Sequence, residues 1–113
     1  MREEKTYLED ILESINRIES YIKDLKPMDF LKSEVIQDGV MKRIEIIGEA
    51  VKHLPDEMKN EHSEIPWKNI AGMRDVLIHE YAGVQVERVW RTAKNDLPPL
   101  KKTIIELIEQ KTG

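Results

Sequence analysis

Between residues 74 and 81 the chain reads Arg74-Asp75-Val76-Leu77-Ile78-His79-Glu80-Tyr81, which puts three side chains capable of phosphate chemistry into one short stretch. A guanidinium is a planar fork that clamps phosphate oxygens and stabilises charge building on them. An imidazole moves protons near neutral pH. The phenol of Tyr81 falls in a break ahead of Gly83, where it is expected to face solvent. Together the three types suit phosphodiester chemistry. Asp75 and His79 are four residues apart and therefore neighbours on a helix face, flanked by the small Ala71 and Gly72. A carboxylate beside an imidazole fixes its tautomer and raises its basicity. The plainer reading is an Asp–His hydrogen bond at a helix C-terminus, where the helix dipole also favours the imidazolium.

The element carrying these residues is a helix expected from Pro66, tolerated as a first helical residue, to Ile78 or His79. At about 100° per residue, Ile70, Met73, Leu77 and Ile78 mark its apolar sector. Arg74 falls inside that sector, so its guanidinium must snorkel, find a partner or face another subunit. Arg43 is placed the same way in the apolar stripe of an earlier helix. Residues five apart lie about 140° from each other around a helix. One copy therefore does not aim Arg74 and His79 at a single point, whereas a second copy would.

The other elements follow from periodicity. Thr6-Tyr7-Leu8-Glu9 reads as a capping box, followed by Leu8, Ile11, Leu12, Ile15, Ile18, Ile22 and Leu25 at helical spacing, with Lys26-Pro27 as a stop. A second long helix is expected from Ser33 to Leu54, its apolar face Ile36, Val40, Ile44, Ile47, Val51 and Leu54, broadened by Ile46 and Ala50. Residues 56–65 are polar and irregular, with room for one short helical turn. A fourth, short helix carries Val86, Val89, Trp90 and Ala93. A last one, capped near Asp96, has Pro98 and Pro99 in its first turn and buries Leu100, Ile104, Leu107 and Ile108. The expectation is all-α: one domain over residues 1–113, a compact antiparallel bundle of about five helices.

Composition sets the frame for any chemistry. The chain has 113 residues, 40% hydrophobic and 35% charged, and no cysteine, which excludes disulfides, thiolate metal sites and a thiol nucleophile. No apolar run approaches a signal or membrane-spanning length, so no membrane partner and a cytoplasmic location are expected. The net charge of −4 is unevenly spread. Residues 1–65 hold 10 Lys and Arg against 16 Asp and Glu, while residues 66–113 hold 8 against 6. The basic half can present an attractive face to a polyanion; a simply solvated surface is the blander account. His53 and His62 lack metal-ligand spacing and read as surface residues. Glu45 and Glu49 have Lys42 and Lys52 within pairing reach, so no metal and no cofactor are expected. A Gly-rich phosphate loop and a GxSxG elbow are both missing.

The Arg74–Tyr81 segment resembles the R-x4-H-x-Y signature of HepT toxins in the HEPN superfamily. The resemblance extends to Ile46-Ile47-Gly48-Glu49-Ala50, Pro66-Trp67, Gly72-Met73, Val89-Trp90 and Asn95-Asp96-Leu97, and so to nearly the whole chain. It implies a HEPN-like homodimer acting as a metal-independent endoribonuclease on RNA, with two motifs facing each other across the interface. On that resemblance His79 is the general acid or base and Arg74 stabilises the phosphorane. Asp75 is the polar residue after the Arg, where many relatives carry Asn. The resemblance further implies a toxin–antitoxin pair in which an MNT-type nucleotidyltransferase antitoxin transfers AMP to Tyr81 and silences cleavage. Two other readings compete: a non-catalytic helical subunit that docks substrate for such a nucleotidyltransferase, and a dimerisation domain in which Arg74 and His79 serve the interface alone.

Overall fold

A computed structural model describes residues 3–79, 83 and 85–112. Two antiparallel 19-residue helices form its frame, α1 (Glu4–Ile22) and α3 (Glu34–Lys52). They are joined by a short helix α2 (Pro27–Lys32), and α3 is followed by a second short helix, α4 (Asp56–Glu61). Next come α5 (Trp67–His79), α6 (Val86–Arg91), a π-turn (Thr92–Asp96) and α7 (Leu97–Thr112). The described residues contain no strand. α3 is the central helix, packed on α1 along one side and on α5 along another, while α7 closes against α1.

The long helices lie where their periodicity puts them. Leu8, Ile11, Ile15, Ile18 and Ile22 of α1 meet Val40, Ile44, Ile47 and Val51 of α3 in a core that also takes in Leu100, Ile104 and Leu107 of α7. Ser33 caps α3, its hydroxyl accepting from the Ile36 amide at 3.2 Å. The start of α1 differs from expectation. Its N-cap is Glu3, without a side-chain cap, and Thr6 lies inside the helix rather than in a capping box. Its end also comes earlier: Asp24 takes a left-handed φ of 64°, so Leu25 lies beyond the helix.

Two short helices escape period counting because each is only six residues long. Within α2, Phe30 is fully buried and packs tilted on Trp90 at 5.1 Å, which explains why this brief turn is ordered against the bundle. α4 buries none of its own residues and is held through its neighbour. The Trp67 indole donates to the carbonyls of Lys59 and His62 at 3.1 and 3.0 Å, tying α4 to the start of α5.

The expected cap at Asp96 is replaced by a continuous helical path. Pro98 and Pro99 cannot donate to the carbonyls four residues back, and their rings would crowd them. The turn widens instead, and the Leu97 amide donates to the Thr92 carbonyl, five residues earlier. Ile78, expected in the apolar sector of α5, is 41% exposed. Trp67, Ile70, Met73 and Leu77 are the buried set, and they centre the core-facing stripe away from it.

α3 and α5 approach each other closely at Gly48. A Cβ there would collide with the Arg74 Cβ and stand 3.2 Å from the Ile70 carbonyl oxygen. Helix backbone cannot yield as a flexible side-chain tip can, so α3 and α5 would have to separate. Gly48→Ala should therefore destabilise the fold by about 1–3 kcal/mol despite alanine's better helix propensity. Urea denaturation checks this: an unchanged or raised midpoint would contradict the close-approach account.

Candidate functional site

With Gly48 letting the helices close, Arg74 leaves α5 directly beneath α3. Its side chain retains 27% exposure, and its guanidinium is gripped by two carboxylates. One Nη atom lies 2.9 Å from Glu49 Oε2 on α3, and the other lies 3.2 Å from Asp75 Oδ1 on its own helix. The Nε–H is buried and without a hydrogen-bond partner, a donor whose desolvation is uncompensated. Arg74 thus finds a partner within its own chain, one of the outcomes its position required.

The pairing spreads on both sides. Lys52 Nζ donates to Asp75 Oδ1 at 2.5 Å. His53 Nε2 and Glu49 Oε1 are 3.2 Å apart, and the His53 ring stacks on Tyr7 of α1 with centroids 4.8 Å apart and planes 3° from parallel. A ladder of alternating charge therefore runs Lys52, Asp75, Arg74, Glu49 across the α3–α5 seam, with His53 beside its Glu49 end. Beside it lies a cleft of 220 Å³ lined by Tyr7, Asp10, Glu45, Ile46, Glu49, Ala50 and Arg74. The cleft is acidic apart from Arg74 itself.

The structure separates some of the residues that spacing brought together. Asp75 turns toward Lys52 and Arg74, and no hydrogen bond or ion pair joins it to His79. The expected Asp75–His79 pair does not form in the single chain, because two cations offer that carboxylate a stronger, charge-assisted match. His79 is the last residue of α5 and is exposed. Tyr81 and Glu80 lie outside the described residues. Arg43 is half-buried on α3 and makes no ion pair among the described residues. Those residues also contain no group of three acidic, histidine or cysteine side chains able to hold a metal.

Sequence reading underrated Glu49 and Gly48. Glu49 was paired with neighbouring lysines along its own helix; its actual partners are Arg74 and His53. The available signal was the glycine within a good helical run, since such a residue marks a packing demand, opposite an arginine that needed a partner.

The Lys52 hydrogen bond, and then that of Arg74, hold the Asp75 carboxyl below the ordinary value of 3.8. A folded-state pKa below the unfolded one means the pairing stabilises the fold above the unfolded value. That contribution is lost as pH falls through the folded one. Asp75→Asn should therefore remove part of the wild-type stability loss below about pH 4. Parallel thermal melts from pH 7 to pH 2 check this, and identical acid profiles would show that the ladder does not contribute.

Residues 11–107 match the family described as Ribonuclease HepT-like. A Methanocaldococcus jannaschii protein, named for gamma-glutamylcyclotransferase and inferred RNase functions, is 49% identical over 94% of this chain, which spans only 48% of that relative. A Caldanaerobacter subterraneus subsp. tengcongensis protein named for an inferred RNase is 42% identical, with 97% of this chain and 98% of the relative covered. A Thermococcus cleftensis protein named, by inference, as ribonuclease HepT is 48% identical over 88% of this chain and 91% of its own. No solved structure matches the chain. The chain thus belongs to the HepT-like ribonuclease family of the HEPN superfamily.

Proposed function

We propose that the chain is the endoribonuclease toxin of a toxin–antitoxin pair, working without a metal as a homodimer whose two Arg74–His79 motifs share one cleft. The observation that carries this reading is the separation of Arg74 and His79 within one chain. Arg74 is fixed half-buried in the α3–α5 seam, while His79 stands exposed at the end of α5. Two copies related by a two-fold axis would bring one chain's arginine to the other's imidazole, and a closed two-fold dimer is the commonest way to build such a site.

The chemistry then needs only these groups and the substrate. The RNA 2′-hydroxyl oxygen attacks phosphorus and the P–O5′ bond breaks, giving a 2′,3′-cyclic phosphate and a 5′-hydroxyl. One proton leaves the 2′-oxygen and one arrives at O5′. His79 performs one of these transfers, and Arg74 balances charge on the five-coordinate phosphorus. Glu49 and Asp75 hold the guanidinium in position, although their charge opposes a phosphate until Arg74 is shared with it. That opposition favours the second reading, a non-catalytic subunit that docks substrate for a nucleotidyltransferase.

His79→Ala and Arg74→Ala should each lower cleavage of single-stranded RNA by about 10²–10⁴-fold, with the helical circular dichroism retained in the His79 variant. Cleavage should persist in EDTA. Full activity in the His79 variant, or abolition by chelator, would reject the mechanism, and a wild-type protein inert on RNA would favour the docking subunit.

Control by an MNT-type nucleotidyltransferase acting on Tyr81 follows from the motif. Tyr81 is two residues from His79, so an attached AMP would bring a phosphate toward the same cleft and compete for Arg74. With such a partner and ATP, mass spectrometry should find AMP on Tyr81, and Tyr81→Phe should remain active and insensitive to the partner. An adduct mapped to Tyr7 or Tyr21 would refute this control.

A further inference from the structure

The π-turn does more than admit two prolines. It opens a cavity of 340 Å³ on the side of α5 away from the Arg74 ladder, bordered by Arg88 and Arg91 of α6, Asn69 of α5, and Asn95 and Asp96 of the turn. Its size is within the range of small-ligand sites. π-turns are rare and recur at functional sites.

Two exposed arginines border the cavity, and like Arg43 and several surface lysines they make no ion pair among the described residues. Acidic side chains outnumber basic ones, 22 to 18. Accordingly Arg17, Lys52, Lys59, Arg74, Lys101 and Lys111 each face a carboxylate within 4 Å. Arg88 and Arg91 do not: both are exposed, three residues apart on one helix face, and neither makes an ion pair among the described residues. Two guanidinium forks bordering one cavity, with the single Asp96 carboxylate beside them, leave a net positive charge that attracts an anion and can match phosphate oxygens bidentately.

The remaining polar groups narrow the class of anion. Asn69 and Asn95 each offer a donor and an acceptor, and Asp96 accepts. Inorganic phosphate at neutral pH has little use for acceptors, whereas a nucleotide presents ribose hydroxyls and base amino groups alongside its phosphate. Burial pushes the Asp96 carboxyl up.

We propose that this cavity is a second RNA site, in which Arg88 and Arg91 hold a backbone phosphate away from the scissile one while Asn69, Asn95 and Asp96 meet the attached nucleoside. The inference rests on the ribonuclease reading for its ligand, but it concerns binding and can be tested without cleavage. α5 carries Asn69 at the cavity and His79 ten residues on, about 15 Å along its axis. The two sites are therefore separated by a few nucleotides of extended strand. A strand held at both points is presented to the cleavage motif in a fixed register.

The test uses the full chain carrying His79→Ala, so that RNA survives, and a fluorescein-labelled single-stranded RNA of mixed sequence titrated from 50 to 200 mM salt. Removing one phosphate contact lowers the steepness of log K against log salt by about 0.7 for a single strand. Arg88→Ala and Arg91→Ala should each weaken binding several-fold at low salt, and the double variant should flatten the slope by about 0.7–1.4. Lys102→Ala removes an equal charge from the exposed side of α7 and should leave the slope unchanged. An unaltered slope in the double variant would overturn the proposal, as would an equal loss in Lys102→Ala. Parallel titrations with inorganic phosphate and AMP identify the source of the anion. Tight binding of either that depends on the arginines, with RNA affinity unaffected, would reject an RNA site in favour of a free-phosphate one. Loss of a partner protein's binding alone would make the cavity a protein contact. Failure of the nuclease reading would look different: wild-type protein would cut no RNA while the salt slope still responded to Arg88 and Arg91.

Discussion

The approach of α3 to α5 at Gly48 is the constraint on which the site depends. Without a side chain at that position the two helices come close enough that Arg74 emerges beneath α3 and cannot extend freely into water. A guanidinium in that place must be paired, because leaving its charge partly desolvated and unmatched costs far more than a surface ion pair returns. Glu49, the residue after the glycine, supplies the match from α3, and Asp75, the residue after the arginine, supplies it from α5. Backbone approach and charge compensation are therefore one feature, written in two adjacent pairs of residues on facing helices.

The pairing has consequences for reactivity. A guanidinium held by two carboxylates is oriented but not free, and it can serve an incoming phosphate only by sharing or exchanging those partners. Its unpaired buried Nε–H shows that the two carboxylates do not exhaust its hydrogen-bonding capacity. The ladder runs from Lys52, bonded to Asp75, to His53, which stacks on Tyr7. Three helices thus meet through polar contacts at the point where the seam faces solvent. Arg88 and Arg91 contrast with this: neither makes an ion pair among the described residues, and they border a cavity next to the turn where two prolines force the helix to widen.

Much of the bundle was legible in residue order. Apolar periodicity located α1, α3, α5 and α7 within a few residues, because burial of one stripe is a local pattern that survives any detail of packing. α2 was not legible, and of α4 only room for one short helical turn was. At six residues neither completes two turns, so no periodic stripe can repeat, and each is tied in by longer-range contacts, Phe30 on Trp90 and the Trp67 indole on the carbonyls of Lys59 and His62. The capping box at Thr6 looked sound, yet α1 begins earlier, at Glu4, since the sequence ahead of Thr6 is itself a good helix former. The prolines at 98 and 99 announced a disturbance; whether it would be a break or a widened turn depended on how Leu97 and Leu100 had to enter the core.

For the site the division is sharper. By itself the sequence determined which groups are present, their spacing on α5, the misplacement of Arg74 in an apolar sector, and the inability of one helix to aim Arg74 and His79 together. These follow from helix geometry, which is the same in every context. Only the tertiary structure decided the partners. Asp75 bonds Lys52 and Arg74 instead of His79, and Glu49 grips the arginine of another helix as well as His53 at the end of its own. The physical reason is that an ion pair is chosen by what lies within 4 Å in space. At the α3–α5 seam that distance was set by a glycine that bears no chemistry of its own.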